Sequence, residues 1–285
     1  MPYSSVVGIV APDYMGEALN SDYYLRMLRG LENELALARR KVLLFLRAEQ
    51  LIDVPGLREW IEKSAVSGIV NITSNNYAGV VSLCQQSRLP CVQIDHHKQS
   101  DEDACPTVKI NNRGAILAAV DHLVDIGHRR IGMVTGRPEN PAAQQRLEGY
   151  QHGLQYAHIP FEPELCRYSD ANWDSGHQMA LELLSLPNPP TALIAFNDTA
   201  ALAMMAAIRS RGLEPGRDVS VIGFDDMPFA RESNPPLTTI RQPIEEIARQ
   251  AARLIGDLID GCLTENERTV ETALIIRRST GPIHS

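Results

Sequence analysis

Asn197 and Asp225 each follow directly on a short apolar, strand-like run, Ala192 to Phe196 and Val219 to Phe224 respectively. Ligands bind outside the carboxyl ends of strands in open α/β sheets, so both positions are placed for recognition. Asparagine donates and accepts while ionised aspartate only accepts, a combination suited to hydroxyl-rich molecules. The local alternatives are an N-cap for a helix opening at Thr199 and an Asx-turn at Asp225. Other chemistry finds little support. The first strand candidate reads Gly8-Ile9-Val10-Ala11-Pro12-Asp13, with no glycine cluster for a dinucleotide pyrophosphate, and the P-loop, H-E-x-x-H and G-x-S-x-G patterns are absent. His96 and His97 beside Asp95 point to opposite faces of an extended segment and cannot easily chelate together. No catalytic constellation, metal site or cofactor is expected, and the chain is not read as an enzyme.

The elements that must position these residues follow from periodicity. Strand candidates are Val6 to Val10, Val42 to Leu46, Gly68 to Ile72, Cys91 to Ile94, Thr107 to Ile110, Arg130 to Val134, Leu165 to Tyr168, Ala192 to Phe196 and Val219 to Phe224. Between them lie amphipathic patterns such as Tyr24, Leu28, Leu31, Leu35 and Ala38, which predict helices packed on a sheet. Strand and helix alternate in two series, so the fold class is α/β with two doubly wound parallel-sheet lobes. A further helix shows one apolar face through Ile244, Ile247, Ala251, Leu254 and Leu258, with Gly261 ending it. A last strand, Val270 to Ile276, has no helix after it, so the tail must return to an existing sheet.

Composition narrows the class further. The chain has 285 residues, 44% hydrophobic and 22% charged, with a formal net charge of −8. That balance offers no basic footprint for nucleic acid phosphates. No apolar run approaches the roughly 20 residues of a membrane helix, and no signal peptide precedes Val6, so a cytoplasmic location without membrane contact is expected. The five cysteines are widely spread without a C-x-x-C pair and read as reduced thiols.

Several segments, in order along the chain, resemble the effector-binding domain of the lactose and galactose repressor (LacI/GalR) family. They are Asp121-His122-Leu123-Val124-Asp125-Ile126-Gly127-His128-Arg129-Arg130-Ile131, Arg146-Leu147-Glu148-Gly149-Tyr150, Pro190-Thr191-Ala192, Asn197-Asp198, the run from Asp218 to Asp226, and the run from Pro236 to Pro243. The resemblance implies a type I periplasmic-binding-protein-like fold with three crossover hinge segments, near Gly127 to Arg130, Thr238 to Gln242 and Glu267 to Val270. The implied lobes are residues 1–128 plus 241–267 and residues 129–240 plus 268–285.

The same resemblance implies a ligand set of Asp13, Tyr23, Arg146, Trp173, Asn197 and Asp225 facing a cleft between the lobes, and a sugar-like effector. Arg146 stands against the alternative of a surface arginine in a helix's first turn. Trp173 either offers its ring to the ligand or anchors its own loop; Asp13 and Tyr23 are otherwise a turn former and a core residue. The implied function is ligand-controlled transcription by a homodimer, with operator DNA reached only through an N-terminal helix-turn-helix that these residues do not contain. A transport-type sugar-binding protein and a cytosolic enzyme on a related scaffold are the alternatives.

Overall fold

The computed structural model describes residues 5–13, 21–48, 54–72, 77–95, 105–262 and 265–283. The chain divides into two units, Met1–Ile110 with Pro243–Val270, and Asn111–Gln242 with Glu271–Ser285, so the polypeptide passes from one to the other three times.

The first unit holds strands β1 (Ser5–Asp13), β2 (Arg40–Ala48), β3 (Gly68–Asn71), β4 (Cys91–Ile94), β5 (Thr107–Ile110) and β11 (Glu267–Val270). Their order is β11-β5-β4-β3-β1-β2 and all are parallel. β3 and β4 are buried throughout, as strands covered on both faces of a parallel sheet are, and the two polar side chains this encloses, Asn71 and Gln93, bond each other at 3.1 Å. Helices α1 (Asp22–Leu37), α2 (Val54–Ser64), α3 (Tyr77–Gln86) and α9 (Ile244–Ile259) connect and cover them. α9 buries Ile244, Ile247, Ala251 and Leu254 as predicted, and Gly261 at φ +73° follows its end in the left-handed conformation. α1 meets α9 at Gly30, where a Cβ would lie 2.6 Å from that of Ala248. Arg26 pairs with Glu245 through two hydrogen bonds of 2.6 and 2.9 Å beside this crossing.

The second unit repeats the plan. Strands β6 (Ile131–Thr135), β7 (Cys166–Tyr168), β8 (Ala192–Ala195), β9 (Ser220–Asp225), β10 (Thr238–Arg241) and β12 (Ala273–Ile275) take the order β12-β10-β9-β8-β6-β7. Only β12 runs antiparallel, against β10. Its helices are α4 (Asn112–Asp125), α5 (Pro141–Tyr156), α6 (Trp173–Leu184), α7 (Asp198–Ser210) and the short α8 (Pro228–Glu232). The core gathers Val134, Leu193, Met204, Ile208, Val221 and Leu237, all fully buried.

Three expectations are corrected. The first passage between units falls at Ile110–Asn111, not near Gly127, and α4 therefore belongs to the second unit. The cause is close packing of α4 on α5: at Gly149 a Cβ would stand 2.4 Å from the Arg113 carbonyl oxygen, and at Gly153 2.7 Å from the Val120 Cβ. The run Val270 to Ile276 is not one strand, because β11 completes the first sheet and β12, after Glu271 and Thr272, completes the second. Thr238 to Arg241, read as connection, is strand β10, and the second passage follows it at Gln242–Pro243, at the end of the expected segment.

His128 ties the end of the chain to this unit. It is 2% exposed, its Nδ1 is 2.9 Å from Thr191 Oγ1, and its Nε2 lies 2.9 Å from Ser220 Oγ and 3.1 Å from the Gly281 carbonyl oxygen. Burial lowers its pKa below 6.5, the Gly281 hydrogen bond opposing and His122 adding to the shift.

Gly149→Ala should therefore destabilise by about 1 to 3 kcal/mol despite alanine's better helix propensity, because backbone and not a flexible side chain meets the new methyl; a urea titration reads it. A lowered folded pKa means that the unfolded chain takes up the proton first as pH falls. The parent should lose stability below pH 6.5, down to the lowered folded value, and His128→Asn should show a shallower loss in melts across that window.

Candidate functional site

Both sheets place β1 or β6 inside the order 2-1-3-4-5, so the strand order reverses beside β8 in the second unit, the position where such sheets bind ligands. Asn197 stands there. Its Oδ1 accepts the Ala200 N–H at 2.8 Å and caps α7, so the cap alternative is what the structure contains. Its Nδ2 donates to the Ala171 carbonyl at 2.8 Å, pinning the loop that leads into α6. Trp173 is the first residue of α6, behind the N-cap Asn172, and remains 45% exposed, so it does not anchor the loop by burial.

Arg146 is 4% exposed, which removes the surface-arginine alternative. Its Nε donates to Asn112 Oδ1 at 2.9 Å and its Nη1 to the Phe196 carbonyl at 2.6 Å. The guanidinium carbon lies 3.5 Å from the ring centroid of Phe224 and 4.5 Å from that of Phe196, within cation–π range of both. Arg146 is thereby set against the residues that immediately precede Asp225 and Asn197.

Asp225 closes β9 at φ +116° and Asp226 follows at +57°. Side chains rarely adopt such angles, and here the surroundings enforce them. Asp226 accepts Arg277 Nη2 on Oδ1 at 2.6 Å and Arg241 Nε on Oδ2 at 2.7 Å. Burial alone would raise its carboxyl pKa, but the two arginines outweigh burial and hold it below the ordinary value. Asp225 Oδ1 accepts Gln242 Nε2 at 2.5 Å.

Two residues in this corner were not picked out from the sequence. Asp198 is fully buried, with Thr239 Oγ1 donating to Oδ1 at 2.5 Å and the Met227 N–H to Oδ2 at 2.7 Å. Burial first, and then the neighbouring charge of Asp225, push its carboxyl well above the ordinary carboxylate value. Gly223 makes room for it, since a Cβ there would lie 2.3 Å from Asp198 Oδ1. Gln242, 3% exposed, is the other: with Nε2 committed to Asp225, its Oε1 is buried without a hydrogen-bond partner. The only sequence signal for either is adjacency, to Asn197 in one case and to the expected crossing in the other.

The structure thus brings Arg146, Asn197 and Asp225 to the carboxyl ends of the central strands β8 and β9 of the second sheet, with Trp173 linked through the Ala171 loop. Asp13 and Tyr23 belong to the first unit. Asp13 is the last residue of β1, with its side chain outside the described residues, and Tyr23 is half-buried in α1 with its ring edge-on to Tyr24 at 5.2 Å. His96 and His97 also lie outside the described residues. Among the described residues no cluster of three metal-ligating side chains occurs, and no helix is long and apolar enough to cross a membrane.

Two six-stranded, mostly parallel sheets of the same winding, with three chain passages between their units, define a type I periplasmic-binding-protein-like ligand-binding domain. Residues 120–280 match the periplasmic binding protein-like domain family. The transcriptional repressor CytR of Escherichia coli K12 is 36% identical over 200 residues, covering 70% of this chain and 58% of CytR. A structure of the regulator CelR in complex with cellobiose superposes with a TM-score of 0.90 at 27% identity, covering 98% of this chain and 85% of that one. A LacI-family regulatory protein from Chloroflexus aggregans superposes with a TM-score of 0.85 at 28% identity, covering 97% and 98%. The chain belongs to this family, as the effector domain of LacI-type transcriptional regulators, and its relatives are regulators and not enzymes. It spans just over half the length of CytR.

Asp198→Asn should fold, because an amide can accept from Met227 and donate to the Thr239 hydroxyl. A raised carboxyl pKa contributes stability that is lost as pH rises above 3.8. The variant should therefore gain on the parent as pH increases from that value, in paired chemical denaturation curves; a constant difference would place Asp198 outside the titrating groups.

Proposed function

We propose that this chain senses a small, hydroxyl-rich molecule, a sugar or sugar derivative, through Arg146, Asn197, Asp225 and Gln242, with the exposed ring of Trp173 nearby for an apolar sugar face. The observation that carries the reading is the buried, unpartnered Oε1 of Gln242 beside the Asp225 carboxylate. A buried acceptor left unpaired costs about 1 to 3 kcal/mol, and a ligand hydroxyl supplies the missing donor. Two acceptors side by side favour a molecule carrying more than one such donor. The cellobiose bound to CelR supports this ligand class.

In the regulator as a whole, we place this module in the cytoplasm as a homodimer, with an N-terminal helix-turn-helix reading operator DNA. Effector binding then biases which of two conformations the module adopts, through its different affinity for the two.

A thermal-shift screen with cellobiose, ribose and other mono- and disaccharides, against nucleosides and nicotinamide cofactors, tests the ligand class. A carbohydrate at 100 times its Kd should stabilise the chain by about 2.7 kcal/mol. For the carbohydrate found, Asp225→Asn and Gln242→Met should each weaken binding roughly ten- to a hundredfold in calorimetric titrations, the loss for one hydrogen bond to a charged or buried group. Stabilisation by nucleosides alone would overturn the sugar assignment, and unchanged affinity in both variants would overturn the site.

A further inference from the structure

Cys84, Cys91 and Cys105 lie together in the first unit, in one apolar cluster with Leu57, Ile69 and Val80, whereas the residues assigned to ligand belong to the second unit. The register of β4 and β5 sets Gln93 opposite Thr107 and Ile94 opposite Val108. Two residues back along that register Cys91 faces Cys105, and the Gln93 N–H donating to the Pro106 carbonyl at 2.9 Å carries the pairing beyond the start of β5. Directly opposed residues of neighbouring strands share a face of the sheet, with strands about 4.8 Å apart. A disulfide needs Cα atoms about 4.4 to 6.8 Å apart. The Cys105 thiol already reaches the Cys91 carbonyl oxygen at 3.0 Å.

The third thiol is placed differently. Cys84 is on helix α3 and 1% exposed, whereas Cys91 and Cys105 keep 7% and 6% exposure, so a small oxidant meets the strand pair first. Hydrogen bonding with Cys105 and Cys84, and then burial, raise the Cys91 thiol well above its ordinary pKa.

We propose that Cys91 and Cys105 form a reversible cross-strand disulfide when the protein meets a hydroperoxide, making the effector domain responsive to peroxide. One sulfur of the pair attacks a peroxide oxygen, the O–O bond breaks, and a sulfenic acid forms while the departing hydroxide takes up the thiol's proton as water. The other sulfur then attacks the sulfenic sulfur, the S–O bond breaks, and its proton leaves with the hydroxyl as a second water. Two thiols are oxidised and one peroxide is reduced. The bridge closes residues 92–104 into a loop, which restricts the unfolded chain and raises the melting temperature.

The test is to treat the folded chain with hydrogen peroxide, block remaining thiols, and map the non-reduced peptides of the monomer. The expected result is a Cys91–Cys105 linked peptide, an intact mass lighter by two hydrogens, and a raised melting temperature that dithiothreitol returns to the starting value. Cys84→Ser should still form the bridge, and Cys91→Ser and Cys105→Ser should not. The proposal is overturned if peroxide bridges the urea-unfolded chain but leaves the folded one unbridged, or if the folded chain's bridge contains Cys84, Cys166 or Cys262. The peptide map of the parent decides this whether or not the serine variants fold.

Discussion

Charge withdrawn from water at the carboxyl ends of β8 and β9 is the constraint from which the second unit's construction follows. Removing ions from water costs several kcal/mol each unless partners replace the solvent. Arg146 receives Asn112, the Phe196 carbonyl and two phenyl faces. Asp198 receives a hydroxyl and a backbone N–H, and Asp226 receives two guanidinium groups. The partners come from α4, β9, β10, the strand-end loops and the segment after β12. The polar corner therefore knits together pieces of chain that apolar packing alone would leave free to shift.

That knitting also fixes the geometry of the corner before any ligand arrives. Gly223 can have no side chain where Asp198 sits, and at the consecutive positive-φ residues 225 and 226 Gln242 holds the first carboxylate while Arg241 and Arg277 hold the second. Side chains locked in place lose little freedom on binding, so more of the interaction with a ligand survives as affinity.

The two-lobed α/β plan was legible in the sequence because its strands read as short runs rich in β-branched and apolar residues, alternating with amphipathic helical patterns. Cys91 to Ile94 and Thr107 to Ile110 were delimited to the residue. β10 was not, since Thr238-Thr239 between prolines has the composition of a connection; both threonines are buried, and their hydroxyls serve Thr280 and Asp198. The place of α4 was hidden because it depends on glycines more than 30 residues away on α5. At the site, the family resemblance pointed to Arg146, Asn197 and Asp225, but nothing in the sequence distinguished an exposed arginine from a buried one. Asp198 and Gln242 escaped because what marks them, complete burial of a carboxylate and an orphaned carbonyl, exists only after folding.

The splitting of the last extended run between two sheets bears on how the molecule comes into being. β11 is an edge strand of the first sheet and β12 of the second, with only Glu271 and Thr272 between them. The first unit also takes α9 from beyond residue 243. On a ribosome releasing the chain from its amino end, residues 1–110 thus emerge before the helix and edge strand that complete their unit, and the second unit waits for its closing strand as well. Neither unit is complete until residues 244–275 have followed, so the closing steps join residues far apart in sequence, the kind of contact that forms slowly and leaves apolar surface open in the meantime.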